Sequence, residues 1–584
     1  MRELPPAQGA LIDARPGGNV ARVDDALPPA SLRLLTASAL GCGVAGDILF
    51  DDGPQGVGLA IYLLIIAGGM TVAMRTPAMT AIGARTVPPQ TRLLVCVAAI
   101  FAVLIALRDS EVLAAANTLA ALCAIGLAAM VWPGSELNLF TVRMRDLVFA
   151  GFACGRDAVI GTPRFLSGDA RRLFHSSRPR TAGSPVTGAL GRALLIGISL
   201  TFVFGALLSA GDPVFRTAVS PLVQWDLPPL GAHLLGVIAF GWPVLGLLWA
   251  AGRRSMHSSA EGAEGADTPS IAQLAFEGLA TRARVTLNRL DLLVALGLMN
   301  ALFALFLLLQ VRVLFGGQAY VTATTGLTMA EYARGGFFAL TFTAAMVVGL
   351  LLSLDALLGS QRLADWHVSR RLSGALLALV GVVLCSATAR MLLYVSTFGI
   401  SVDRVVALAI IAWVAMVSAW FALTVLRGMP SRFVVGALCS AAFTLLTLNV
   451  VNMDAIVVRS GVSRVAAGRP LDVEYMSADL GADAVPTLVN AVVGGRVEVA
   501  PRPPGEARTE GAACTTAAML LDRWGPATPT LAGAWTLGAW RARRSVRQHH
   551  GALASIACRP PVRPPAAQTS DLRSTAPIRL PSHR

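Results

Sequence analysis

Residues 92–132 read RLLVCVAAIFAVLIALRDSEVLAAANTLAALCAIGLAAMVW. Two apolar runs are separated only by Arg108-Asp-Ser-Glu111, whose charges nearly cancel. A helix crosses a bilayer with ~20 mostly apolar residues. Each run therefore spells one crossing, and the polar gap a short turn beyond the lipid. Backbone groups inside lipid must bond within their own segment, so such runs are helices rather than isolated strands. The same pattern recurs in windows 34–50, 57–74, 92–107, 112–132, 189–210, 233–251, 290–311, 336–358, 372–394, 403–426 and 433–452. The expected fold is all-α and polytopic, with about eleven transmembrane helices and a small, mostly helical C-terminal tail outside the cytoplasm.

Composition agrees with a lipid-facing surface. Only 14% of the 584 residues are charged, against roughly 25% in soluble domains, and mean hydropathy is +0.64. The net charge is +14, and every basic group other than the His residues is Arg. A basic chain raises the question of nucleic acid. Here the arginines flank apolar spans, and the positive-inside rule accounts for them without a nucleic-acid partner. The partner the composition does imply is the lipid bilayer.

The arginines also fall in alternate gaps. Basic gaps hold Arg75, Arg85 and Arg92, then Arg143 to Arg180, then Arg253 to Arg289, then Arg362, Arg370 and Arg371, then Arg427 and Arg432. Neutral, mixed or acidic gaps lie between them. This phase predicts a cytoplasmic N-terminal tail over 1–33. It divides the membrane region into a first half over 34–251, with a basic cytoplasmic loop at 133–188, and a second half over 289–452. Residues 252–288 join the halves, and the Ser/Gly/Ala/acid-rich stretch 255–270 within them reads as a flexible linker. An extracytoplasmic tail follows over 453–558, with a helix around 482–494 and a linker at 501–509. Residues 559–584, rich in Pro and Arg, read as disordered. Segment 140–154 reads either as a helix on the inner leaflet or as a basic loop. Residues 531–547, with Trp535 and Trp540 beside four arginines, suit either an interfacial helix or a helix of the tail core.

Ionisable groups within spans cost ~2.5–3.5 kcal/mol at mid-bilayer, so each asks for a reason. Arg390, Asp47, Asn449, Asn452 and Asp454 lie near outer span ends, whereas Asp291 and Asp355 lie near inner ends. Arg390 is thus most of a bilayer away from Asp355 at 1.5 Å rise per residue, but within reach of Asp47 or Asp454. Tyr394 shares the Arg390 face at i+4, and Asn452 that of Asn449 at i+3. One reading is an outward polar pocket of Arg390, Tyr394, Asn449, Asn452, Asp454 and Asp47, lidded by the outer-loop residues Glu331, Tyr332 and Arg334. The other is structural: an ion pair and amide hydrogen bonds that fix helix register. Cys514 and Cys558 share the tail and are either disulfide-bonded or free. No CxxC spacing, HExxH, P-loop, GxSxG or Ser/His/Asp set occurs, and His233 and His367 fall on opposite sides. No catalytic residue, metal site or cofactor is predicted.

An ordered set of motifs runs over residues 190–500, with a weaker echo at 535–545: Gly211-Asp-Pro-Val-Phe215, Leu314-Phe-Gly-Gly317, Leu327 to Phe338 (LTMAEYARGGFF), Arg390-Met-Leu-Leu-Tyr394, Asn452-Met-Asp454 and Leu480-Gly-Ala-Asp483-Ala-Val-Pro486. This set resembles a family of bacterial multi-pass membrane proteins, domain of unknown function 4173, related to domain of unknown function 4153. The chain departs from that pattern at Val313 (an aromatic in the family), Met329 (Tyr), Gly335 (Arg) and Ala339 (Glu). The resemblance implies a bacterial plasma-membrane protein and brings no activity with it.

Three functional classes follow. A sensing, binding or scaffold protein of the envelope, acting with other envelope proteins, needs no further signature. A transporter for a small solute or lipid needs paired broken helices or mid-span charges, and neither is evident. A polyprenyl-sugar-dependent glycosyltransferase needs an acidic pair in a long first outer loop; Asp51-Asp52 is present, but its gap is short. The topology has a direct readout. Alkaline phosphatase fused after residue 500 is expected to be active and fused after residue 260 inactive, and the reverse pattern inverts the orientation.

Overall fold

A computed structural model describes residues 29–50, 56–74, 87–131, 138–167, 229–261, 292–308, 329–357, 367–468, 471–473, 475–476, 480–497, 511–526 and 534–558. The window 189–210, the Asp51-Asp52 pair, Asp291, the 211–215 and 314–317 motifs, the 501–509 linker and residues 559–584 lie outside them. The chain is an all-α polytopic membrane protein. Its helices are α1 (Pro29–Phe50), α2 (Gly56–Ala73), α3 (Pro89–Leu107), α4 (Glu111–Met130), α5 (Met144–Ser167) and α6 (Pro229–Glu261). They continue with α7 (Leu292–Leu308), then α8 (Met329–Leu357), α9 (His367–Phe398), α10 (Val402–Thr424) and α11 (Ser431–Val450). The tail adds α12 (Met453–Ala466), α13 (Val485–Val493), α14 (Ala512–Trp524), α15 (Leu537–Gln548) and α16 (His550–Ile556).

Among the described residues eight helices are long and apolar enough to cross a membrane: α1 to α4, α6 and α9 to α11. Shorter apolar stretches lie at Leu292–Leu308 and Leu340–Asp355. Large side chains such as Ile48, Leu119, Phe342, Phe443 and Val450 point outward, each more than 60% exposed. In water such a surface would drive aggregation; in lipid it is at no disadvantage, and cohesion falls to packing and hydrogen bonds.

The buried side chains form three cores. One joins α1 to α6, with Val434 of α11. A second joins α7 to α11. The third belongs to the tail and gathers Val457, Leu488, Val489, Leu520, Ala542, Val546 and Leu553 from α12 to α16. Met144 packs against both membrane cores. In the third core, Ala542 and Val546 turn one face of α15 inward, while Trp540 is exposed with Arg544 over its ring.

One stretch differs from the sequence reading, and one whose reading was open is helical. Helix α6 continues to Glu261, so residues 255–261 of the expected linker are helical; Ser, Ala and Glu permit this, and the first glycine after Ala260-Glu261 is Gly262. Segment 140–154 is largely helix, as the opening of α5, and α5 stands against α6 in antiparallel fashion. Thr162 donates to the Trp242 carbonyl at 2.7 Å, and Trp242 Nε1 donates to the Val159 carbonyl at 3.0 Å. Four residues on from Trp242 the two backbones touch. A β-carbon on Gly246 would lie 2.5 Å from the Asp157 carbonyl oxygen, and one on Gly161 would lie 2.6 Å from that of Gly246. The mixed composition of α5 hides this role, because Arg156 and Asp157 read as loop residues. In the fold they pair with each other at 2.9 Å, with Asp157 buried.

Gly246→Val is expected to destabilise the chain by about 1–3 kcal/mol, the usual cost of overpacking. Thermal unfolding of the detergent-purified protein measures it; an unchanged midpoint would mean that α5 does not press on α6.

Candidate functional site

The tail sits on one end of the bundle, and the α3–α4 turn is its seat. Arg108, the C-cap of α3, is extended (φ −114°, ψ 143°) and carries the chain across the bundle end. Its Nε donates to the Asn449 carbonyl at 2.8 Å and its Nη2 to the Val450 carbonyl at 3.0 Å. These are among the last carbonyls of α11, which lack intrahelical partners and carry the negative end of the helix dipole. Arg108 Nη1 also lies 3.7 Å from Asp483 Oδ1. Asp109 completes the seat. Its N–H donates to Asp483 Oδ2 at 3.1 Å, and its carboxylate accepts from the Ala482 N–H and from the Thr536 hydroxyl, both at 3.2 Å. The Thr536 oxygen in turn accepts from the Ala539 N–H at 3.1 Å and caps α15. A β-carbon on Gly481 would collide with the Asp109 carbonyl, so only glycine permits this approach.

Beneath this turn, Asn117 of α4 and Asn449 of α11 exchange amide hydrogen bonds of 2.8 and 2.9 Å, both side chains buried. Asn452 accepts from the Ala455 N–H at 2.9 Å, capping α12, and donates to the Asp483 carbonyl at 3.2 Å. Two further strands of contact reach the second membrane core. Arg464 Nη1 donates to the Ser396 carbonyl at 3.3 Å, and the Val402 N–H donates to the Tyr475 hydroxyl at 3.1 Å. The Val57 N–H at the start of α2 donates to the Trp535 carbonyl at 2.9 Å.

The structure thus brings Asn449, Asn452 and Asp454 together at one bundle end, in company with Arg108, Asp109, Asn117, Asp483 and Thr536. Tyr394 lies under the Arg404 guanidinium at 4.3 Å and tilts against Phe398 at 5.0 Å; Arg390 is half-buried one turn earlier on α9. Asp47 pairs with His233 of α6 at 2.9 Å. Glu331, Tyr332 and Arg334 fall on the first turns of α8 rather than in a loop. Cys514 and Cys558 are disulfide-bonded, with Cα atoms 5.0 Å apart. Among the described residues no group of three His, Cys, Asp or Glu side chains is placed to hold a metal. The sequence reading passed over Asn117 and Thr536, and it gave no role to Arg108 and Asp109. Their charges cancel in a gap count, yet each has its own partner. The Gly481-Ala-Asp483 motif was the available signal.

Charge at the junction is tightly held. Burial pushes the Asp454 carboxyl up to about 6; Asp483 and Asp109 add to the rise, while the Gly481 N–H and Arg108 oppose it. Burial also raises Asp483, against the Asp109 N–H and Arg108. Arg108, Asp109, Asn117, Asn449, Asn452, Asp483 and Thr536 each bond to another group of the protein.

The family Domain of unknown function (DUF4153) matches residues 95–491. The chain belongs to this family. The DUF4153 region opens in α3 and closes in α13, so it contains Arg108, Asp109, Asn117, Asn449, Asn452, Asp454 and Asp483, while Thr536 and the disulfide lie beyond it. No curated protein and no solved structure matches the chain.

Arg108→Ala leaves a buried carboxylate and two helix-end carbonyls without their cation. The expected cost is about 3–5 kcal/mol, read as earlier thermal unfolding and faster proteolysis of the tail. Adding Asp483→Asn is expected to restore part of it; strictly additive losses would mean the two do not interact. Asp454 gives a pH effect. Its folded value of about 6 exceeds the ordinary 3.8, so the folded chain binds a proton that the unfolded chain does not. Stability at the junction therefore rises as pH falls from 7 through 6 towards 4, and is lost on the way back up. Protease resistance of the tail at pH 5 against pH 7 tests this, and Asp454→Asn is expected to flatten the difference.

Proposed function

We propose that the protein is a non-enzymatic binding, sensing or scaffold component of a bacterial cell envelope. It belongs to the inner membrane, with its N-terminus in the cytoplasm and residues 453–558 held outside. Its motif set resembles domain of unknown function 4173. The observation that carries this reading is the use of polar groups at the bundle end. Arg108, Asp109, Asn452, Asp483 and Thr536 are engaged with one another and fix the tail to the membrane helices. The arginine alternation supports the orientation, and the disulfide suits an oxidising compartment. The exposed Trp540 and Arg544 face of α15 is the surface offered to other envelope proteins.

Co-purification tests it. Partners captured with the wild-type chain by photocrosslinking at Gln548 are expected to be lost when Arg108→Ala loosens the tail while the membrane helices stay folded. Turnover of a polyprenyl-linked sugar by the purified chain would overturn the non-enzymatic reading.

A further inference from the structure

At the end of the bundle opposite the tail, the approach to α5 meets the turn between α10 and α11. Between them lies a cleft of about 420 Å³ lined by Thr141, Arg143 and Gly428 to Arg432. We propose that this cleft binds a phosphate group, held by Arg143 from one membrane half and Arg432 from the other.

The lining has the chemistry for it. It contains two guanidiniums, two hydroxyls (Thr141 and Ser431) and no acid. A guanidinium matches phosphate in planarity and donor spacing, and offers charge-assisted hydrogen bonds. Among the described residues neither guanidinium has an ion-pair or hydrogen-bond partner, whereas Arg108, Arg156, Arg404 and Arg464 all have one. The positive-inside rule explains why arginines collect at this end. It does not explain why two residues far apart in sequence line one cavity. Gly428 adopts φ 79°, a left-handed conformation that glycine accepts most readily. The chain then enters α11 at Ser431 with no side-chain cap on its first turn, so the helix start adds a favourable dipole to the two charges. The geometry is anchored from behind, because Trp420 Nε1 donates to the Arg432 carbonyl at 3.3 Å and Phe433 packs edge-on against Phe421 at 5.7 Å. A phosphate here would tie the α4–α5 connection to the α10–α11 turn and so join the two halves at the end away from the tail.

Two sources carry the same chemistry: a phospholipid headgroup or a free phosphate. Full-length protein in detergent would be tested by equilibrium dialysis against labelled inorganic phosphate, and by native mass spectrometry after reconstitution with phosphatidylglycerol or phosphatidylcholine. Saturable phosphate binding that weakens at least about tenfold in Arg143→Gln or Arg432→Gln supports a free phosphate ligand. Phosphatidylglycerol retained by the wild type and lost in those variants, without binding of inorganic phosphate, supports a lipid headgroup. Arg432 is exposed, so its variant is expected to fold normally and keeps the test decisive if Arg143→Gln does not. Arg427→Gln removes a neighbouring charge that does not line the cleft and is expected to leave binding unchanged. Equal loss in that control, or equal retention of both ligands by wild type and both variants, would overturn the assignment.

Discussion

One guanidinium joins the three parts of this molecule. Arg108 belongs to the first membrane core by sequence, closes the last carbonyls of α11 from the second, and faces Asp483 of the tail. Lipid supplies no hydrophobic force between helices, so the halves are held by packing, as where Val434 of α11 enters the first core, and by the polar groups that meet at this end. The Asn117–Asn449 amide pair lies just below, and a rotation of α11 would leave two buried amides unsatisfied. The charges of the junction are costly to bury and cheap only together, which makes tail docking and helix register a single event.

The tail does not rest on one half. Through Trp535 it reaches α2, through Asp483 and Thr536 the α3–α4 turn, and through Arg464 and Tyr475 the α9–α10 turn. Its own core and the Cys514–Cys558 bond give it the stiffness to bridge these points. A small domain seated this way behaves as a cap across the bundle end rather than as a pendant on a tether.

Much of this was readable beforehand. Runs of twenty apolar residues have one answer in lipid, so windows such as 92–107 and 403–426 fall within a residue or a few of the helices found. The gathering of Asn449, Asn452 and Asp454 at one end follows from helix phase alone. Helix α5 was harder, because Arg156 and Asp157 neutralise each other only once folded, and a contact through Gly161 and Gly246 leaves no hydrophobic trace. The Arg108–Asp483 pair spans most of the chain, and a gap whose charges nearly cancel conceals two residues with separate destinations. Asp47 found His233, a residue on a helix that the pattern did not mark as its neighbour.

The junction also sets an order of events in synthesis. The carbonyl that Arg108 caps lies 341 residues further along the chain, and the hydroxyl that Asp109 receives lies 427 residues on. At 5–20 residues per second, the α3–α4 turn waits roughly 20–70 s for its first partner. During that time the nascent first half carries an unmatched charge pair at its surface, and water or an insertion factor must shelter it. A part of the chain made later is therefore the part that certifies an earlier one.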